Sequence, residues 1–191
     1  MTFSVDVTEC PISKPRDFEV QRLLWSRKKE RCTLKYEIAT HIATGEIIWL
    51  AGGVPKRHDK KILEDFGLMK RLEPWEKGIA DKGYQGASNR IMTPYKRRKH
   101  DRLTKYELYW NRCISSVRAT AERTNGWLKI FRVLHCEWRG EIALHYEVFL
   151  LLAQMTNIRM KFHPIVKKYN PLLHMNVAYR SLSKAPSTHL E

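Results

Sequence analysis

Cysteine is scarce and widely spaced in this sequence of 191 residues, and no two cysteines form a C-x-x-C pair. Zinc ribbons use such pairs, so the spacing argues against a zinc ribbon. The scattered positions do not indicate a disulfide framework either. We expect reduced thiols, as in an intracellular protein, at all four positions: Cys10, Cys32, Cys113 and Cys136.

Long apolar runs and several motifs of known chemistry are also missing. The longest apolar run, Val148–Ala153, is too short to span a bilayer. The first residues lack the charged and apolar regions of a secretory signal. No H-E-x-x-H motif occurs, and the absence of G-x-x-x-x-G-K-[ST] excludes a P-loop NTPase. The short apolar run and the missing secretory signal predict a protein with no membrane partner.

Positive charge is abundant. The sequence contains 35 Lys and Arg against 20 Asp and Glu, which gives a formal net charge of +15. Such an excess attracts polyanions, of which nucleic acid is the commonest. A ribosomal-type protein or a membrane-surface binder has the same property, so the charge indicates a class of partner and no chemistry. Apolar residues make up 43% of the chain, which is enough for a folded core.

Hydrophobic periodicity predicts three helices and four or five strands, the open case being Arg90–Thr93. The order of these elements, a β-meander followed by strands and helices, favours an α/β fold with a mixed sheet. The predicted strands are Thr2–Thr8, Thr33–Ile42, Glu46–Ala51, Lys77–Asp81 and Arg90–Thr93, and the predicted helices are His58–Met69, Leu103–Phe131 and Ile142–Met160.

Several boundaries follow from local signals. Gly52-Gly53 and Pro55 are expected to end a hairpin, and Asp59 is the expected N-cap of the first predicted helix. The helix at Ile142–Met160 is strongly apolar and is expected to be core. After Pro164 the periodicity disappears, and we expect one domain over 1–161 and a basic, loosely ordered tail over 162–191.

Three acids stand where a metal site could form. Asp6 lies within the first strand, Asp81 ends a short strand before a glycine turn, and Glu122 borders the apolar stripe of the long helix. Phosphodiester cleavage by two metal ions needs a cluster of carboxylates, here drawn from distant parts of the chain. Taken singly, Asp6 is as well explained as a solvent-facing strand residue, and Asp81 is as well explained as an ordinary turn residue. An isolated Glu122 is better explained as a member of a charged, solvated helix face.

The phrases around these acids are specific when taken together. Their order and context closely resemble the DDE-superfamily endonuclease domain of transposases, of the Harbinger type and its insertion-sequence relatives, from about residue 3 to 160. The matching phrases are Val5–Ile12, Ala80–Gly86, Ile114–Arg123 and Asn125–Arg132, with Trp25–Lys29, Thr33–Tyr36, His58-Asp59 and Thr93-Pro94.

The resemblance implies a ribonuclease-H-like fold, a mixed sheet flanked by helices, in which Asp6, Asp81 and Glu122 form a DDE triad. It implies that the triad binds two Mg²⁺ ions, or Mn²⁺, and that DNA is the partner. In this family a water molecule is activated to nick a DNA strand, and the freed 3′-hydroxyl then attacks target DNA. This is the chemistry of transposition and DNA recombination.

Other residues receive weaker predictions. Five cations near the triad, Lys35, Lys82, Arg118, Arg123 and Lys129, are candidates for DNA-phosphate contacts, although each is also an ordinary surface cation. His58 is a candidate for supporting the metal ligands. Trp25 and Trp127 could stack on a base or pack in the core, and Lys96–His100 could grip phosphate or direct nuclear import.

The sequence departs from the family pattern at two points. It begins five residues before Asp6, so we expect the helical DNA-binding region to be absent and a separate DNA-binding protein or a homodimer to be possible partners. Family members often carry glycine after the first acid, whereas Val7 stands here, which predicts a crowded metal site.

Two rival functions remain open at this stage. One is a catalytically inactive, transposase-derived nucleic-acid-binding protein, and the other is an RNA binder of the ribosomal type, without an RRM or KH signature. The protein is expected to be intracellular, in the nucleus of a eukaryote or the cytoplasm of a bacterium.

Overall fold

A computed structural model describes residues 3–97 and 102–165. The strands are β1 (Phe3–Pro11), β2 (Trp25–Ser26), β3 (Arg31–His41), β4 (Ile47–Val54), β5 (Gly78–Ile79) and β6 (Ile91–Met92). The helices are α1 (Phe18–Leu24), α2 (Asp59–Phe66), α3 (Leu68–Arg71), α4 (Lys105–Leu128), α5 (Arg132–His135) and α6 (Ile142–Phe162). Residues 166–191, which make up most of the predicted tail, lie outside the described residues. So do residues 98–101, which include the last three residues of the predicted basic loop Lys96–His100.

The strands form one mixed sheet in the order β2-β3-β1-β5-β6, with β4 also paired to β3. β3 runs antiparallel to β1 and to β4, whereas β5 is parallel to both β1 and β6. The predicted α/β class with a mixed sheet is therefore confirmed. No helix within the described ranges has the length and apolar character needed to cross a membrane.

Helices cover both faces of this sheet. Side chains alternate between the faces along each strand, so both faces carry apolar side chains that need to be buried. On one face, Cys10 of β1 and Tyr36 of β3 belong to a buried cluster with residues of α4, α5 and α6. On the other face, Phe3 and Val5 of β1 belong to a cluster with residues of α2 and α3. The helix residues in these clusters are Leu128, Leu134 and Phe149 on the first face, and Leu63 and Leu68 on the second.

Gly52 and Gly53 form a bulge within β4, so the prediction that they end the hairpin is wrong. Lys35 of β3 pairs with Val54 while Tyr36 pairs with Gly52, which leaves Gly53 as the extra residue. Gly52 has φ +134°, and a Cβ there would lie 2.4 Å from the carbonyl oxygen of Lys35. Only glycine fits at this position, and a glycine bulge lets the strand continue where sequence rules predict its end.

The predicted helix His58–Met69 is divided into α2 and α3 by Gly67. This glycine has φ 73° and caps α2 by donating its N–H to the carbonyl of Leu63. The N-cap of α2 is His58, one residue before the predicted Asp59, which is the first residue of the helix. The helix α1 was not predicted, although Asp17 caps it through a 2.9 Å hydrogen bond from the N–H of Val20.

The long helix α4 crosses the sheet and carries the third candidate acid. Thr104 and Glu107 form a reciprocal capping box at its start, which satisfies backbone groups that the first turn leaves free. Gly126 does not break the helix, which continues to Leu128. A Cβ at Gly126 would meet nothing within 4 Å.

α6 is core on one side only, so its prediction as pure core is half right. His145, Phe149 and Leu152 are among its buried residues. Its other side exposes a row of apolar residues at helical spacing. That row consists of Leu144, Leu151, Met155, Ile158 and Phe162.

Asn157 of α6 binds the first residue of β4. The backbone N–H of Ile47 donates to its Oδ1 at 2.8 Å, and its Nδ2 donates to the Ile47 carbonyl at 2.9 Å. One side-chain amide therefore satisfies both outward-facing backbone groups of Ile47.

A buried polar pair joins the sheet to α6. The Tyr36 hydroxyl and His145 Nδ1 lie 2.6 Å apart, and both side chains are fully buried. Burial lowers the pKa of His145 from 6.5 to about 4, with a further lowering from the charge of Lys129. The imidazole is therefore neutral in the folded protein at neutral pH.

Candidate active site

The parallel pairing of β1 with β5 brings the first two candidate acids to neighbouring strands. Its register pairs Ser4 with Ile79. Each chain then advances two residues to its acid, so the same register leads to Asp6 and Asp81 side by side. Neighbouring strands lie about 4.8 Å apart, and ligands of α/β sheets gather at the carboxyl ends of strands.

Asp81 is held by the turn that follows β5. Its Oδ1 accepts a 2.6 Å hydrogen bond from the N–H of Lys82 and caps a 3₁₀ turn over Lys82–Tyr84. The side chain stays 50% exposed. The carboxylate is therefore fixed on one side and open to solvent on the other.

Arg118 of α4 links the second candidate acid to the third. Its Nη1 lies 3.6 Å from Asp81 Oδ1, and its Nη2 lies 3.9 Å from Glu122 Oε1. The Arg118 side chain is 18% exposed, whereas the side chain of Glu122 on the next helical turn is 63% exposed. The single positive charge of this arginine offsets part of the repulsion between the two carboxylates.

Asp6 is the most buried member of the predicted triad. Burial raises its pKa above the ordinary value, the charge of Arg118 and the N–H of Val7 lower it, and the charges of Asp81 and Asp59 raise it again. Its Oδ2 accepts a 3.2 Å hydrogen bond from Nδ2 of Asn125 on α4. The raised pKa indicates a carboxylate that would be stabilised by additional positive charge.

Val7 does not occupy the side of the sheet on which Asp6 meets α4. Its side chain contacts the apolar cluster around Phe3 and Val5 on the face covered by α2. Alternation along β1 turns Asp6 toward Asn125 instead. The crowding predicted from Val7 is therefore not observed.

The donor atoms around Asp6 fit a hard divalent cation. Mg²⁺ and Mn²⁺ prefer carboxylate and carbonyl oxygen ligands, which Asp6, Asp81 and Glu122 can supply. Oδ1 of Asn125 is buried and has no hydrogen-bond partner among the described residues, so an acceptor oxygen is available beside Asp6. Within residues 3–97 and 102–165, no group of three or more His, Cys, Asp or Glu side chains is arranged to hold an ion.

Sequence reasoning missed Asn125 as a site residue. Arg118, Glu122 and Asn125 follow one another at intervals of four and three residues, which places them on one face of α4. That spacing was visible in the sequence. The hydrogen bond to Asp6 was not, because it depends on how α4 crosses β1.

Lys35, predicted to contact DNA, pairs with Asp59 on the other side of the sheet. Its Nζ donates to Asp59 Oδ1 at 3.0 Å and to the Arg57 carbonyl at 2.9 Å. His58 is exposed at the N-cap of α2, and its side chain makes no capping hydrogen bond. A supporting role for His58 near a metal ligand stays a prediction.

The remaining predicted DNA contacts differ in their surroundings. Lys82 and Arg123 are exposed. Lys129 is half-buried, and its Nζ donates to the carbonyls of Glu9 at 2.6 Å and Leu134 at 3.0 Å and to Cys10 Sγ at 3.3 Å. Lys129 therefore joins α4, α5 and β1, and its contact with DNA stays a prediction.

The two tryptophans considered for base stacking have different settings. Trp127 lies under the guanidinium group of Arg159, 4.4 Å from the ring centroid. Trp25 is 38% exposed at the start of β2. Neither ring belongs to the buried core.

Glu37 is a second buried carboxyl group, on the face of the sheet covered by α2. Trp49 Nε1 donates a 3.0 Å hydrogen bond to its Oε1, while its Oε2 has no hydrogen-bond partner among the described residues. Burial raises the pKa of Glu37 from 4.5 to about 7, the hydrogen bond from Trp49 lowers it, and the charge of Asp59 raises it.

The change Glu37→Gln is expected to remove a loss of stability at rising pH. Because folding raises the pKa of Glu37, the stabilisation is full below pH 4.5 and is lost as the pH rises through about 7. That shift corresponds to roughly 3 kcal/mol in the free energy of unfolding. His145 has the opposite dependence, since its lowered pKa costs stability as the pH falls from 6.5 to about 4.

Urea unfolding between pH 4 and 8 checks this prediction. Between pH 4.5 and 7 the variant should gain roughly 3 kcal/mol relative to the wild type, because the contribution of Glu37 is removed while those of His145 and Asp6 are common to both proteins. Glu64→Gln, on the exposed side of α2, should keep the wild-type profile. A difference in stability between Glu37→Gln and the wild type that stays constant from pH 4 to 8 would contradict the assignment.

Comparison with known proteins supplies the family. The family described as DDE superfamily endonuclease matches residues 5–157. A probable transposase for insertion sequence element IS702 from Microchaete diplosiphon is 35% identical over 139 residues, covering 71% of this chain. The chain spans 49% of that relative's length. No solved structure matches significantly.

These matches agree with the mixed sheet and its flanking helices, so the predicted ribonuclease-H-like class is confirmed. The match covers strand β1, the turn after β5 and helix α4, which carry Asp6, Asp81 and Glu122 respectively. The chain belongs to the DDE superfamily of endonucleases found in transposases.

Proposed function

We propose that this chain is a metal-dependent DNA endonuclease and strand-transfer domain that uses Asp6, Asp81 and Glu122 as its metal-binding carboxylates. The proposal is supported chiefly by one observation: Arg118 contacts both Asp81 and Glu122, and its charge acts on Asp6. Three acids that are remote in sequence thus share a single cation. The proposed substrate is DNA, by analogy with the transposase that the chain resembles.

The proposed reaction breaks the P–O3′ bond of a DNA strand by addition of water and leaves a 3′-hydroxyl and a 5′-phosphate. Divalent ions, when bound, supply activation of the attacking oxygen and stabilisation of the leaving oxygen. In the proposal, Asp6, Asp81 and Glu122 hold two Mg²⁺ or Mn²⁺ ions, and Asn125 Oδ1 provides a further oxygen ligand.

The other residues act on charge and position. Asn125 Nδ2 orients Asp6 through the hydrogen bond to Oδ2, and the N–H of Lys82 orients Asp81. We propose that Arg118 keeps the acids paired until the metal ions take over this role, after which its guanidinium group is free to contact the phosphate. The exposed Lys82 and Arg123 are proposed to contact flanking phosphates.

Conversion of a supercoiled plasmid to nicked circles tests the proposal. The purified chain should nick DNA with Mg²⁺ or Mn²⁺ and should be inactive with EDTA, because the uncompensated acids cannot bind the scissile phosphate. Nicking that persists in EDTA would contradict metal dependence. Salt-sensitive DNA binding without nicking under any metal would instead indicate the non-catalytic, transposase-derived binding protein.

A further inference from the structure

A basic cavity lies at the end of β1 that is farther from strand β5. It has a volume of about 310 Å³ and is lined by four basic or imidazole side chains and one acid. Those five residues are Glu9, Lys29, Arg31, Lys129 and His135. With His135 neutral, the formal charge of the lining is 3 − 1 = +2.

The fold fixes one of these charges inside the cavity wall. All three donors of the Lys129 ammonium group have protein partners, on β1 and at Leu134. Lys129 therefore supplies a positive charge that does not need to be ordered when a ligand arrives. Its acid neighbour, Glu9, accepts a 3.2 Å hydrogen bond from Thr33 Oγ1.

Two further cations lie where the turn after β2 meets strand β3: Lys29 is in the turn, and Arg31 is the first residue of β3. Lys29 and Arg31 flank Glu30, whose φ of 51° gives the turn a left-handed residue. Arg31 Nε donates to the carbonyl of Lys29 at 3.3 Å, which orients the guanidinium group. Both side chains are exposed, and among the described residues neither the Lys29 ammonium nor the two terminal nitrogens of Arg31 have a side-chain partner.

We propose that this cavity binds a backbone phosphate of nucleic acid a few nucleotides from the active site. An anion would meet a fixed charge from Lys129 and hydrogen-bond donors from Lys29 and Arg31, which is the combination that phosphate recognition uses. The inference rests on the proposed function for the identity of the anion. The cavity itself stands on the residues that line it.

The spacing between cavity and active site matches a nucleic-acid strand. Asp6 and Glu9 are three residues apart on β1, which separates their backbone positions by about 10 Å at the rise of a strand. Glu122 and Lys129 are seven residues apart on α4, or about 10 Å at the rise of a helix. Duplex DNA rises about 3.4 Å per nucleotide, so a strand along β1 and α4 would cover this distance in about three nucleotides.

The double variant Lys29→Ala/Arg31→Ala tests the proposal through the salt dependence of DNA binding. Fluorescence anisotropy with a labelled duplex of about 20 base pairs, in EDTA, gives the slope of log K against log salt concentration. The variant should lose about 0.9 units of that slope, since the cavity is proposed to bind one phosphate and each phosphate contact contributes about 0.9. The binding constant at low salt should fall at least about tenfold.

Lys61→Ala/Lys70→Ala is the matched control. It removes the same charge from exposed residues of α2 and α3, neither of which lines the cavity. Its slope should stay within about 0.5 of the wild type, because delocalised charge alone releases few bound counterions. Equal losses in the two double variants would overturn the proposal, and thermal unfolding verifies that both are folded.

Two additional measurements separate the proposal from its alternatives. Inorganic phosphate that shifts the amide resonances of the cavity residues, with the DNA slope unchanged in Lys29→Ala/Arg31→Ala, would overturn nucleic acid as the ligand. A selective loss of slope in a chain that nicks no plasmid would support the cavity and contradict the proposed catalysis. If the chain nicks plasmid but Lys29→Ala/Arg31→Ala and Lys61→Ala/Lys70→Ala have the same slope, the proposed catalysis is supported and the cavity proposal is contradicted.

Discussion

Plasmid nicking by the Asp81→Asn variant is expected to fall by about a thousandfold or more. The change removes one negative charge from the proposed metal site, and lost metal coordination costs several kcal/mol of transition-state stabilisation. Asparagine retains the side-chain oxygen that accepts from the N–H of Lys82, so the 3₁₀ turn should persist. The expected loss is therefore one of chemistry and not of folding.

The measurement compares initial rates of nicking with Mg²⁺ and with Mn²⁺. Glu64→Gln is the control: it also neutralises one acid, but it lies on α2, where its nearest cation is Lys61 at 3.9 Å. The control should nick like the wild type, and both variants should bind DNA at least as well as the wild type, because the net charge has risen. Equal nicking by Asp81→Asn and the wild type would overturn the catalytic assignment.

A second readout follows metal binding without catalysis. Mg²⁺ bound to the folded protein should raise the midpoint of thermal unfolding, since a ligand of the native state stabilises it by mass action. That shift should shrink in Asp81→Asn and persist in Glu64→Gln. A shift of undiminished size in Asp81→Asn would indicate that the ion binds elsewhere.

The change Gly52→Ala is expected to destabilise the fold by about 3 kcal/mol or more. The new Cβ would lie 2.4 Å from the Lys35 carbonyl oxygen and 2.7 Å from Cα of Tyr36. Both are backbone atoms, so no side-chain rotation relieves the overlap. The φ of +134° is in addition a conformation that almost only glycine adopts.

Urea unfolding of Gly52→Ala beside Gly126→Ala checks this expectation. Gly126 is inside α4 with open space around it, so alanine there should stabilise by about 0.5–1 kcal/mol. If Gly52→Ala does not fold, Gly53→Ala provides a second test of the bulge. Its Cβ would lie 3.4 Å from the Tyr36 hydroxyl, so its loss of stability should be smaller. A Gly52→Ala variant as stable as Gly126→Ala would contradict the bulge geometry.

The elements with strong periodicity could be predicted from the sequence. The alternation around Asp6 predicts β1, and the apolar stripe that includes Ile114 and Val117 predicts α4. Local turn chemistry was less informative. Gly52 and Gly67 are both loop signals in sequence, yet one lies in a strand bulge and the other divides a helix. The difference lies in tertiary pairing with β3, which a local pattern does not contain.

The candidate site was predictable as a set of acids and not as a geometry. Asp6, Asp81 and Glu122 could be named from the phrases around them. Their proximity depends on the parallel register of β1 with β5 and on the crossing of α4, both of which join residues far apart in the chain. Asn125 was missed for the same reason, since its partner Asp6 is 119 residues away.

The buried cations and carboxyls show a related limit. Lys129 was predicted as a surface contact, but the packing of α4 on β1 gives all its donors internal acceptors. Glu37 lies within the predicted strand Thr33–Ile42, and its side chain is fully buried on the face that α2 covers. Burial changes the chemistry of both groups, and burial is set by neighbours that the local sequence does not specify.

The amide of Asn157 has a consequence for self-association. β4 pairs only with β3 among the described strands, so its far side is the kind of unpaired border to which a foreign chain can add. Asn157 already uses the donor and the acceptor of Ile47, and the glycine bulge distorts the other end of the strand. A growing amyloid-like ladder would find neither end of β4 a ready template, which protects this border of the sheet of a highly charged protein.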